Sequence, residues 1–127
     1  MFYEIKLKVV KDEKQVSEQY ITDEDLFAHA EYKGLNLYQG NCDVCAIKRS
    51  AIKEISEEKR EGEEFYKAVI QDIFLDDAGK KKELKYQVLI PAKDIAEAHE
   101  KAKDHIRQGP SDMELVEIKR TKILGVL

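Results

Sequence analysis

Phe2-Tyr3-Glu4-Ile5-Lys6-Leu7-Lys8-Val9 and, further on, Phe65-Tyr66-Lys67-Ala68-Val69-Ile70 decide how this chain is read. In the first stretch Tyr3, Ile5, Leu7 and Val9 alternate with Glu4, Lys6 and Lys8, the period of a strand with one buried and one wet face. The second opens on the same Phe-Tyr pair, 63 positions later. Ile47-Lys48-Arg49-Ser50 and Ile118-Lys119-Arg120-Thr121 close the two segments, 71 positions apart, with Asp25-Leu26 and Asp94-Ile95 at helix starts between them. The drift in spacing falls in a surface turn, where Asp76-Asp77-Ala78-Gly79-Lys80-Lys81-Lys82 replaces the tighter Lys11-Asp12-Glu13-Lys14.

The order in each segment is strand, turn, strand, helix, strand. The expectation is an α+β fold of two β-β-α-β repeats, residues 2–55 and 65–127, joined by a linker at 56–64. Together they form antiparallel sheet with two helices packed on one side, related by a pseudo-two-fold. Each half alone is too small to bury much core, so a single domain 1–127 with one shared core or one continuous sheet is expected.

Of the 127 residues 38% are charged and 43% apolar, a balance without a disorder signature. No apolar run is long enough for a membrane helix and the first residues lack a secretion signal, so a cytoplasmic protein with no membrane partner is expected. Two cysteines fit a reducing compartment. A net charge of −4 argues against coating nucleic acid non-specifically, yet leaves room for a local basic face.

Along the chain, Val16, Tyr20 and Ile21 suggest a less regular second strand. Thr22 reads as the cap of a helix carrying Leu26, Phe27 and Ala30, with Asp25 three residues on and Gly34 as its stop. Val44 to Ile47 read as the third strand, continued by Ile52 and Ile55 past a bend near Ser50. Ser56 to Glu64 has no apolar residue and is read as a solvated, mobile connector, with capture of a basic partner as the weaker alternative. In the second half, the set from Tyr66 to Leu75 and the alternation of Leu84, Tyr86, Val88 and Ile90 give two strands. Asp77-Ala78-Gly79-Lys80 is the turn between them. Pro91 should end the second of these, Ile95, Ala98, Ala102 and Ile106 make an amphipathic helix, and Gly109-Pro110 should stop it. Met113 to Ile118 is the last core strand, and Ile123, Leu124, Val126 and Leu127 form an apolar tail that must be covered.

The Phe-Tyr openings, Ala46-Ile47-Lys48-Arg49-Ser50 through Glu54-Ile55, Glu64-Phe65-Tyr66-Lys67-Ala68, and the stretch from Val88-Leu89-Ile90 through Asp94 to Glu114-Leu115-Val116 together give a family likeness. The chain resembles the small proteins of Bacteroides-type bacteria and their phage or other mobile elements catalogued as domain of unknown function 4494. The resemblance spans nearly the whole chain and implies no activity and no catalytic motif. Cys42 and Cys45 depart from the family pattern.

Cys42-Asp43-Val44-Cys45 has the spacing of a metal or redox pair. Zinc would need two more ligands, and His29, His99 and His105 supply no second close pair. On a strand the two thiols point to opposite faces, so packing in the core is the favoured reading over metal or redox chemistry. His99 and His105 do not share a helix face, and His29 reads as a surface residue. No nucleophile elbow, phosphate loop or dinucleotide fingerprint is present, and no carboxylate sits in an apolar run that would tune it for acid–base work. A non-enzymatic protein without a cofactor is expected. The best candidate for function is a basic strip of Lys6, Lys8, Lys48, Arg49, Lys119 and Arg120 able to meet phosphates, against the blander reading that these charges pair with neighbouring acids. The leading functional expectation is a binding or accessory protein acting through a sheet face or edge, with a homodimer as one use of an open edge. Nucleic-acid association in a mobile element comes second and a metal protein or enzyme third.

Overall fold

The computed structural model describes residues 1–109 and 112–127, with only the backbone of Asp112. In chain order the elements are β1 (Phe2–Lys11), β2 (Lys14–Asp23), α1 (Phe27–Asn36), β3 (Asp43–Arg49), β4 (Ile52–Ile55), β5 (Glu64–Leu75), β6 (Lys81–Ala92), α2 (Ile95–Arg107), β7 (Asp112–Arg120) and β8 (Ile123–Val126). The α+β class stands, and the strands form two four-stranded sheets, so of the two arrangements expected, one shared core or one continuous sheet, the continuous sheet is not formed. The strand orders of the two sheets are β3-β1-β2-β8 and β4-β6-β5-β7. The chain divides into two compact units, residues 1–51 with 122–127, and residues 52–121.

In the first unit the alternation of β1 is realised as read. Tyr3, Ile5, Leu7 and Val9 are buried while Lys6 and Lys8 are exposed. β1 pairs antiparallel with β2 and with β3, and β8 adds to the far side of β2 in parallel. The second unit repeats this order: β5 pairs antiparallel with β6 and β7, and β4 adds to β6 in parallel. Its irregularities fall at corresponding points. β3 skips Cys45 between Lys6 and Leu7, and β7 skips Val116 between Val69 and Ile70. The parallel pairs slip between Gln19 and Tyr20 and between Gln87 and Val88.

Two expectations are corrected here. The sheets are mixed, because a purely antiparallel reading assigned Ile52 and Ile55 to a prolonged third strand. After Ser50 the chain leaves the first sheet, and β4 becomes the fourth strand of the second. The apolar tail is covered by the same device: β8 completes the first sheet, burying Ile123 and donating the Leu127 amide to the Ile21 carbonyl at 2.9 Å.

Each helix packs on its own sheet through small residues four apart, Ala30 and Gly34 on α1, Ala98 and Ala102 on α2. The bulk comes from the strands beneath, Ile5 and Leu7 in one unit, Ile70, Val88 and Ile90 in the other. Gly34 is therefore no stop signal. A Cβ there would lie 3.1 Å from Ile5 Cγ2, so the close seat of α1 on β1 favours glycine despite its poor helix propensity. Thr22 is no cap either: it lies buried in β2 and donates to the Leu127 carbonyl at 3.1 Å, while α1 begins at Phe27 with Leu26 at the cap position and no side-chain cap bond. Asp94 does cap α2, accepting from the Glu97 amide at 2.8 Å. Pro91 stays within β6, opposite Phe65, and α2 ends at Gln108 with Gly109 at negative φ, so the glycine cap is not formed. Pro110 lies outside the described residues.

The β1–β2 turn holds Asp12 and Glu13 at φ 51° and 65°, a left-handed pair that suits Asn-Gly and strains a glutamate. Replacing Asp12-Glu13 by Asn-Gly is expected to stabilise the protein by about 1 kcal/mol, read as a raised midpoint in urea with an unchanged slope.

Candidate functional site

The exposed face of the first sheet is built from the residues of β1, β2 and β3 that point away from α1. Glu4 stands opposite Lys48 on β3, and Lys6 opposite Ala46 on β3 and Gln19 on β2. Lys8 stands opposite Ser17. Ala46 is short where its neighbours are long, and the result is a depression of about 240 Å³ lined by Glu4, Ile5, Lys6, Gln19, Ala46 and Lys48. Three of the six residues expected in a basic strip, Lys6, Lys8 and Lys48, thus share this face. Arg49 does not: it stands opposite Tyr3, in the other phase of the sheet.

The remaining two lie in the second unit. Lys119 is directly opposite Lys67, a like-charge pair, whereas Lys48 faces the carboxylate of Glu4. Arg120 is held by Glu64 through Nε at 2.6 Å and Nη2 at 2.9 Å, as the blander reading of these charges anticipated. Tyr3 and Tyr66 are core residues, 4% and 5% exposed, and supply no stacking platform.

Among the described residues no three His, Cys, Asp or Glu side chains gather as metal ligands. Cys42 is half-buried at the edge of the first core, its thiol 3.6 Å from the Gly34 carbonyl. Cys45 is exposed at the skipped position of β3, so packing in the core accounts for Cys42 alone. His105 meets Glu54 at 2.9 Å, and His29 lies on the exposed surface 3.8 Å from Glu24.

Two polar clusters escaped the sequence reading. In the first unit Glu18, 7% exposed, receives Lys11 Nζ at 2.8 Å and the hydroxyls of Tyr38 and, at 3.1 Å, Tyr20. Burial would raise the carboxyl of Glu18, but hydrogen bonds from Lys11, Tyr38 and Tyr20 outweigh it and hold the group below its ordinary range. Burial, followed by hydrogen bonding with Tyr38 and Glu18, pushes the Tyr20 phenol far up. The signal was present as a second phase in β2: Val16, Glu18, Tyr20 and Thr22 alternate together, opposite Val9, Leu7, Ile5 and Tyr3.

In the second unit Lys101 of α2 reaches Glu57 at 2.5 Å, Glu63 at 3.1 Å, Glu97 at 3.3 Å and the Pro91 carbonyl at 2.7 Å. Desolvation lowers its pKa, but the three carboxylates more than offset this and raise it. Glu63, 6% exposed, also accepts from the Arg60 amide at 2.8 Å; that bond first, and Lys101 next, hold its pKa down. The stretch 56–64 is thus not a free connector. Glu57 and Glu63 are tied to α2, and Glu64 already belongs to β5. An all-polar run hid these anchors because their partner lies some forty residues downstream.

Taken together, these features describe an α+β protein with a lysine-bearing open sheet face and no cluster of metal-ligating side chains among its described residues. A family model described as Domain of unknown function (DUF4494) matches residues 1–127, and the chain belongs to that family. No curated protein and no solved structure matches it. Among the described residues no helix is long and apolar enough to cross a membrane.

Both clusters are testable. Replacing Lys101 by Ala is expected to release residues 57–63, seen as faster tryptic cleavage after Lys59 and Arg60 with α2 still helical by circular dichroism. Glu18 has a folded pKa below its unfolded value. Its contribution to stability is therefore complete above the unfolded value, near 4.5, and fades as pH falls through the folded one. Glu18→Gln should cost about 1–3 kcal/mol at pH 7, and the loss should shrink towards pH 3 in urea titrations.

Proposed function

We propose that this is a non-enzymatic binding protein that engages a polyanionic partner through the exposed face of its first sheet. The observation that carries the reading is the gathering of Lys6, Lys8 and Lys48 on one face of that sheet, where Lys6 and Lys48 line a depression, while α1 occupies the other face. A face suits this role better than an edge. All four edge strands, β3 and β8 in the first sheet and β4 and β7 in the second, carry bulges or register shifts, which bend a strand and discourage the addition of another. The overall charge of −4 makes the attraction local, so binding should depend on these particular lysines.

The second reading is that the polyanion is nucleic acid, which the spacing of lysines along one strand favours because successive phosphates can meet successive ammonium groups. The matching strand orders and bulges of the two units also support descent from one duplicated unit. On that view the chemistry of the first face is a specialisation, because the positions corresponding to Lys6 and Ala46 are Val69 and Glu117 in the second unit.

Retention on immobilised heparin at low salt is expected to fall sharply in Lys6→Glu with Lys48→Glu, and to change little in Lys14→Glu with Lys59→Glu, an equal change in charge placed elsewhere. Equal losses in both variants would defeat the reading. A shift assay with single-stranded and double-stranded oligonucleotides separates the second reading, which falls if neither strand form is retarded.

A further inference from the structure

The depression on the first sheet has a chemistry more specific than a basic surface. Its lining sets the short Ala46 among the side chains of Lys6 and Lys48, with Gln19 opposite Lys6 and Glu4 opposite Lys48. At about 240 Å³ it falls below the usual range for a drug-sized ligand, so it fits one small group of a longer molecule. Lys6, Lys48 and Gln19 offer donors to an anion with several oxygens. Glu4 offsets part of the positive charge, so the lining suits one phosphate group rather than a dense cluster of anions.

We infer that this depression seats a single phosphate group, with the rest of the ligand running along the Lys8 side of the face. The inference rests on the binding reading above and names the chemistry of its central contact. The second unit provides an internal contrast. There Val69 takes the place of Lys6 and Glu117 that of Ala46, so although Lys67 and Lys119 keep two lysines nearby, a carboxylate stands where the first unit has the short Ala46. A phosphate in the first unit could be a phosphodiester of a nucleic acid or part of a free oligophosphate.

The test follows amide resonances of the whole chain during titration with inorganic pyrophosphate and, separately, with a short oligothymidylate. Pyrophosphate is expected to move Lys6, Gln19, Ala46 and Lys48 and to leave Lys67, Val69 and Glu117 in place. Ala46→Val fills part of the depression without altering charge and suits a strand, so the variant should fold and bind about tenfold more weakly. Response to both ligands points to a phosphodiester chain, and response to pyrophosphate alone to a free oligophosphate; each supports the seat. If oligothymidylate moves only Lys8 and Ser17 and pyrophosphate moves nothing, the seat is overturned while the binding face survives. If neither ligand disturbs the face, both ideas fail. An unchanged affinity in Ala46→Val also overturns the seat.

Discussion

The pairing on which the rest depends is the parallel addition of a short fourth strand, β8 beside β2 and β4 beside β6. Each supplies the last row of hydrogen bonds in its sheet, and each buries an isoleucine at its start, Ile123 and Ile52. The helices reinforce the same end of each sheet. Lys33 of α1 reaches Thr22 at 3.3 Å and the Leu127 carbonyl at 3.5 Å, and Lys101 of α2 reaches the Pro91 carbonyl and Glu57. In both units a helical lysine thus gathers the finishing ends of two parallel strands. Its long stem crosses the sheet margin, while its ammonium satisfies carbonyls that the ladder leaves over.

Packing explains why these helices suit their sheets. Small residues at helical spacing let each helix settle close to the strands, so the large side chains of β1, β5 and β6 fill the interface from below. The hydrophobic contribution therefore comes mainly from the strands, which alternate strictly in β1 and bury a continuous run from Val88 to Ala92 in β6. This leaves the opposite face of β1 free to carry charge, because residues on the two faces of a strand are decoupled in sequence. The lysines of the exposed face can be chosen for a partner without altering the core.

Legibility in the sequence followed the range of the interaction involved. β1, both hairpin turns and α2 could be read because a period or a turn signal lies within a dozen residues. The parallel strands could not: Ile52–Ile55 looks like the end of one strand, and nothing nearby says that its partner is Gln87 to Leu89. The start of α1 was misplaced because Thr22 offers a cap, yet its hydroxyl is drawn to Leu127, 105 residues away. Of the site, the lysine alternation was visible from the outset. The role of Ala46 was not, since a depression is defined by what three strands place around a short side chain.

The crossing of the chain from one unit to the other and back also sets a timetable for biosynthesis. β1, β2, α1 and β3 leave the ribosome early, but the strand that closes their sheet begins 121 positions after Phe2. The nascent first unit must therefore wait with the flank of Ile21 uncovered while the whole second unit is made. The second unit faces no such delay, because β4 emerges ahead of its neighbours and is ready when β6 arrives.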